Sequence, residues 1–209
     1  SPYVFLANID PDLQLEVLAQ VEHPRLTALD SMDFWISGKR ESLTRAMAQV
    51  DLVVLNETEV LMYAGCDSLM DAAQGILDLG PTALVIKRGS EGSMLVTQGG
   101  SIGERFFVTP AYLLPTITDP TGAGDTFAGG MMGYLAQSGD LTVGGLRRAL
   151  VYGTIVASFT VQGFSVDALC NLTMDDLVQR YNDYRCMTLY DDSTCPVADW
   201  ITRPLSRNL

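Results

Sequence analysis

Asp119-Pro120-Thr121-Gly122-Ala123-Gly124-Asp125-Thr126-Phe127-Ala128-Gly129-Gly130 is the most informative stretch of this 209-residue chain. Pro120 and the small residues at 122 to 124 set up a tight turn that runs directly into an apolar helix, so unpaired backbone N–H groups point out of the helix start. Such a turn can hold an anion. Gly122 and Gly124 let a phosphoryl group approach the backbone closely, and Asp125, in the first turn, lies beside it. A carboxylate there can accept a proton from an incoming hydroxyl. The same residues also read as a plain helix entry, with Gly129-Gly130 as a close helix-packing seam, and taken alone they leave both readings open.

Before this turn, short apolar runs alternate with amphipathic stretches, the pattern of strand and crossover-helix units on a parallel sheet. Strands are expected at Tyr3 to Asn8, Leu26 to Leu29, Asp51 to Leu55 and Ala83 to Ile86, and helices at Pro11 to Val21, Glu41 to Val50 and Ser68 to Leu79. Between Arg88 and the turn, Gly89, Gly92, Gly99, Gly100 and Gly103 punctuate two β-rich runs, Ser93 to Thr97 and Arg105 to Val108, which predict a short antiparallel meander. After the turn, helices are expected at Gly124 to Gln137, Val143 to Thr160 and Thr173 to Tyr184, the last with Thr173 as N-cap. This divides the chain into a core at 1–184 and an irregular tail at 185–209.

Composition narrows the function classes. The chain carries 25 Asp plus Glu against 13 Lys plus Arg, a net charge of -12, and is 47% hydrophobic and 18% charged, enough apolar material for one substantial core. With no basic surplus, nucleic acid and an anionic membrane surface are poor partners, while a small anion held by local backbone donors fits. No apolar run approaches the roughly 18 residues of a membrane-spanning helix, and Ser1-Pro2-Tyr3 opens no leader pattern, so a soluble, cytoplasmic protein is expected. Cys66, Cys170, Cys186 and Cys195 form no Cys-x-x-Cys pair and His23 is the single histidine, which argues against zinc and against a histidine-dependent triad.

Two further segments carry chemistry. Asn56-x-x-Glu59 follows a parallel strand, at the carboxyl edge where open α/β sheets bind ligands. It reads either as a carboxylate and an amide holding water around Mg²⁺ or as ordinary helix capping. Lys87-x-Gly89-x-x-Gly92 follows the next strand and reads either as a lining for nucleotide phosphates or as a turn with a solvated lysine.

In this order the three segments resemble the ribokinase-like, or PfkB, family of carbohydrate and nucleoside kinases, over roughly residues 3–184. The resemblance implies a three-layer α/β/α sandwich with a mainly parallel central sheet. It implies ATP-dependent phosphoryl transfer to a hydroxyl of a sugar or nucleoside, with Asp125 as general base and Gly122, Ala123 and Gly124 as the anion hole for the γ-phosphoryl. It also implies that Asn56 and Glu59 organise Mg²⁺ and phosphate, that Asp119 and Thr121 contribute to a K⁺ site, and that Lys87, Gly89, Gly92 and the loop at Gly163 approach the nucleotide. The segment Asp30 to Trp35, with Asp33, falls at the active-site rim.

Members of that family run longer at the start, where they carry the first strands, most sugar-binding polar residues and a small β lid. The expectation is therefore a phosphate-binding part that lacks the lid and first strands. Two alternatives follow from it. An open site can hydrolyse ATP or a phosphate ester, because water is itself an acceptor. A catalytically silent chain can instead self-associate, as a homodimer, through an exposed sheet edge.

Overall fold

A computed structural model describes residues 1–189 of the chain. Six strands form one sheet in strictly sequential order: β1 (Tyr3–Leu6), β2 (Leu26–Asp30), β3 (Leu52–Asn56), β4 (Ala83–Lys87), β5 (Ser93–Thr97) and β6 (Phe106–Thr109). The first four run parallel, and β5 and β6 return antiparallel, as the glycine-rich segment predicts. The chain reverses between β4 and β5 through a 3-10 turn at Gly89–Glu91 and Gly92, with the Arg88 amide bonded to the Gly92 carbonyl. Gly92 lies at φ +96°, and a Cβ there would fall 2.0 Å from the Thr109 carbonyl oxygen, so no other residue fits.

The helices that link the parallel strands are α1 (Pro11–Leu18), α2 (Asp33–Gly38), α3 (Arg40–Met47), α4 (Glu57–Ala64) and α5 (Leu69–Leu77). Right-handed crossovers between strands in sequential order carry every connection to one face of the sheet. The core on that face joins Leu43 and Met47 of α3, Val60 of α4 and Ile76 of α5 to Leu29, Val53, Leu55, Leu84 and Ile86, the alternate residues of the strands. After α6 (Ile102–Arg105), the opposite face is left for α7 (Ala123–Ser138) and α8 (Val143–Thr160), which pack on Ala28, Leu52, Val54, Val85 and Leu95. With both faces covered, β2 is buried throughout and β3 and β4 are buried up to their last residue, as parallel strands require. The result is the expected three-layer α/β/α sandwich.

Met131, Met132 and Leu135 of α7 are core residues, and Gly130 meets Gly153 and Val156 of α8, so the packing-seam reading holds at Gly130. The chain ends in α9 (Asp167–Cys170) and α10 (Met174–Thr188), the latter opened by a capping box between Thr173 and Asp176. Helix α10 runs one turn past the end expected at Tyr184, through the exposed residues Arg185 to Thr188; the tail at 190–209 lies outside the described residues. No helix among the described residues is long and apolar enough to cross a membrane. Among those residues β1 pairs with β2 alone, which leaves its outer edge free.

Candidate active site

Strand parity builds the site. Asp30, Asn56 and Lys87 end β2, β3 and β4, and each follows by two residues a side chain of the α7–α8 core, namely Ala28, Val54 and Val85. Because strand side chains alternate faces, all three project on the side that α7 covers, at its N-terminal end. The turn at Gly122–Gly124 therefore comes down over the carboxyl ends of three parallel strands.

Gly122 is the N-cap of α7 in the left-handed region, φ +78°, and gives the helix no side-chain cap. The Thr126 amide closes on the Gly122 carbonyl at 2.9 Å and the Ala123 amide on Pro120 at 3.2 Å, while the amides of Gly122, Gly124 and Asp125 find no acceptor among the described residues. These open donors, with the positive end of the helix dipole, have the chemistry to receive an anion. Of Gly122, Ala123 and Gly124, Ala123 alone has its amide already bonded. Asp125 is exposed and its carboxylate makes no hydrogen bond among the described residues, so it is free to receive a proton.

Asn56 and Glu59 form a reciprocal capping box at the start of α4: Asn56 Oδ1 accepts from the Glu59 amide at 2.8 Å, and Glu59 Oε2 accepts from the Asn56 amide at 2.7 Å. The capping alternative is thus realised, and it limits the metal reading. Asn56 Oδ1 spends one lone pair on this bond and keeps a second, and its NH₂ offers two donors. Glu59 keeps Oε1 free. Among the described residues no group of three or more His, Cys, Asp or Glu is arranged around a metal position. The donor set fits a hydrated Mg²⁺ held by one carboxylate oxygen and phosphate, and it does not fit a protein cage. Burial pushes the Glu59 carboxyl above its ordinary range, opposed by the Asn56 amide and Lys87.

Lys87 is not the solvated turn residue of the alternative reading. Its ammonium donates to Asp30 Oδ2 at 2.8 Å and Oδ1 at 3.1 Å, and it lies 3.6 Å from where a Cβ on Gly124 would stand. Asp30 is buried, and burial raises its pKa against the opposing pull of Lys87 and the Ser31 amide. Asp30 opens the segment expected at the active-site rim, and its pairing with Lys87 is what the motifs do not announce. The signal of Asp30 itself is an acid ending the uninterrupted buried run Leu26–Asp30.

A cavity of about 420 Å³ extends from this charged end. Asn56, Lys87, Gly89, Gly92, Ala123 and Gly124 line it near the turn, and Leu114, Ile117, Phe127, Ala157 and Val161 line an apolar remainder. A flat base fits the apolar part and phosphates the polar end. Gly163 is not on that wall; it sits beyond the end of α8 against Ala168. Asp119 accepts the Thr121 amide at 2.9 Å, a contact that holds its carboxyl below the usual range. The Thr118 and Asp119 amides bond the Val161 carbonyl, at 2.8 and 3.4 Å, which ties this loop to the end of α8. Asp33, at the start of α2, is near enough for its charge to act on Glu59.

Open amides over the carboxyl edge of a doubly covered parallel sheet stand where open α/β sheets bind ligands. The pfkB family carbohydrate kinase model matches residues 14–173, and the chain belongs to that family. It is similar to a cytidine kinase of Thermococcus kodakarensis, 34% identical over 136 residues, which are 62% of this chain and 46% of that protein. It is also similar to a ribokinase of Staphylococcus aureus, 31% identical over 127 residues, 58% of this chain and 38% of that one. The fold matches the crystal structure of a Methanocaldococcus jannaschii nucleoside kinase with a TM-score of 0.70 at 22% identity, over 88% of this chain and 56% of that one. It matches a Vibrio cholerae fructokinase bound to fructose, ADP and a calcium ion with a TM-score of 0.72 at 19% identity, over 86% and 60%. The chain thus spans about half the length of these proteins.

Proposed function

We propose that this chain is the nucleotide- and phosphate-binding part of an ATP-dependent kinase for a hydroxyl of a sugar or nucleoside. The observation that carries this reading is the uncapped start of α7, where open amides, the free Asp125 carboxylate and the Lys87 ammonium converge. Family membership and the sugar and nucleoside kinases among its relatives support it.

ATP lies with its base in the apolar part of the cavity and its γ-phosphoryl on the amides of Gly122, Gly124 and Asp125. Lys87, Gly89 and Gly92 flank the remaining phosphates. Asp125 removes the proton from the acceptor hydroxyl as that oxygen bonds to the γ-phosphorus; the bond to the β-phosphate oxygen breaks and ADP leaves. The fixed amides meet the charge that develops on the transferring group. Glu59 Oε1 is the carboxylate oxygen that would hold hydrated Mg²⁺, which when bound neutralises phosphate charge. Asp119 and Thr121 would hold K⁺ beside the anion turn.

The test is ADP formation by the 209-residue chain with ATP, Mg²⁺ and K⁺ across a panel of sugars and nucleosides, beside Asp125→Asn. Acceptor-dependent turnover is expected, and the variant should lose roughly 10²- to 10⁴-fold of it while ATP affinity stays within about threefold. An undiminished rate would sink the role of Asp125. The exposure of Asp125 favours a second reading, in which water is the acceptor; phosphate release that needs Asp125 but no sugar or nucleoside would establish it.

A further inference from the structure

We infer that Asp30 is a positioning residue, which fixes the Lys87 ammonium under the anion turn so that its remaining N–H meets a phosphoryl oxygen of the nucleotide. The inference rests on the ATP-binding reading above and extends it to a residue outside the motifs that carry it.

The geometry is specific. Asp30 is on β2 and Lys87 on β4, with β3 between them, so the lysine stem has to cross a strand to reach its partner. Both carboxylate oxygens of Asp30 accept from one ammonium, at 2.8 and 3.1 Å. The Asp30 side chain is 5% exposed and that of Lys87 19%. An ammonium has three N–H groups, and Asp30 is the only partner Lys87 has among the described residues. That leaves one donor, on a residue that lines the cavity beside Gly124.

Stability alone does not account for the pair. Desolvating two charges costs about as much as their attraction returns, and apolar residues of the same volume generally serve a core as well. A fixed cation is what this arrangement supplies. The other charged groups nearest the pair are acids: Asp33 on α2, Glu59 on α4 and Asp125 on α7. A lysine without Asp30 has four flexible carbons and these carboxylates to choose from, and a contact with Asp125 would occupy the proposed base. Asp30 holds the charge away from Asp125 and in line with the open amides.

A binding cycle tests this without relying on turnover. Calorimetric affinities for ATP and AMP, both with Mg²⁺, give an ATP-over-AMP preference for the unsubstituted chain, Asp30→Asn, Lys87→Met and Asp30→Asn/Lys87→Met, with a thermal melt of each. With Lys87 present, Asp30→Asn should lower the preference about tenfold, the scale of one charge-assisted hydrogen bond. In the Lys87→Met background Asp30 is an unpaired anion facing the phosphates, so Asp30→Asn should raise the preference. This reversal of sign is the signature of action through Lys87, and a purely structural role would not produce it.

If Lys87→Met alone does not fold, the charge-free double variant replaces it, and it should match Asp30→Asn within about threefold. An equal effect of Asp30→Asn in both backgrounds overturns the inference, as does a rise with Lys87 present or a further tenfold fall in the double variant. ATP binding without turnover would refute the kinase reading and leave the cycle decisive, whereas no ATP binding by the unsubstituted chain would overturn both.

Discussion

Two helices on opposite faces of the sheet both begin at its carboxyl edge, and they treat their first turns differently. At the start of α4, Asn56 and Glu59 satisfy each other's backbone amides through a reciprocal side-chain cap, and only the Glu57 and Thr58 amides between them find no acceptor among the described residues. At the start of α7 the N-cap is Gly122, which has no side chain to offer, and the amides of Gly122, Gly124 and Asp125 stay open. Helix starts ordinarily recruit a capping side chain, worth about 1 kcal/mol. A helix that forgoes one beside a half-buried lysine and a free carboxylate is left with donors for a ligand. The side-chain cap secures the start of α4, and the uncapped start of α7 is the one proposed for the chemistry.

Substitutions at these turns can break or sharpen that contrast. The largest effect is expected at Gly122→Ala. A Cβ in the left-handed region costs about 1–2 kcal/mol, and relaxation of that strain re-aims the amides; a lower melting temperature should accompany at least a tenfold loss of ATP affinity, on the scale of a lost charge-assisted contact. Unchanged affinity would mean that the open amides are not the anion site. Next comes Asn56→Ala, which should cost roughly 0.5–2 kcal/mol in denaturant unfolding, with Asn56→Ser recovering most of it. If the alanine variant kept full stability but lost nucleotide binding, the start of α4 would be a ligand site too and the contrast would fail.

The smallest effect is expected at Glu59→Gln and lies in its pH dependence. Burial raises the Glu59 pKa in the folded state, so ionising it works against folding. The stability it contributes is therefore present below its unfolded value of about 4.3 and is lost as pH rises through the higher folded value. Glutamine keeps an acceptor for the Asn56 amide and carries no charge. Its melting temperature should exceed that of the unsubstituted chain at neutral pH, and the margin should close as pH falls to about 4. A variant less stable at neutral pH would show that the charged acceptor outweighs its burial.

The sheet and the anion turn were legible because their signals are local. Helix α8 and strand β5 fall on the residues expected of them, since a long apolar period and a run bounded by glycines each announce themselves. Helices α2, α6 and α9, of six, four and four residues, are too short to show a period. In α4 the capping residues carry a signal and the helix behind them does not, since its apolar residues, Val60 to Ala64, form one unbroken run with no helical period. The Asp30–Lys87 pair was hidden for a different reason. It depends on the register of three strands, and 57 residues separate the partners, so neither residue carries the other's signature. Gly163, whose approach to the nucleotide is implied by the resemblance alone, lies two residues beyond Val161 of the cavity wall and next to Ala168.

The sequential strand order has a consequence during synthesis. All crossover helices go to one face, so Ala28, Leu52, Val54, Val85 and Leu95 on the other remain bare until residues 123–160 have emerged. At roughly 5–20 residues per second, a ribosome leaves that apolar face uncovered for several seconds. Until α7 and α8 arrive, the nascent chain presents a half-clad sheet that a chaperone, or another nascent copy, can engage. The segment that ends this exposure also delivers the anion turn, so the acquisition of a ligand site and the loss of the sticky face are one event.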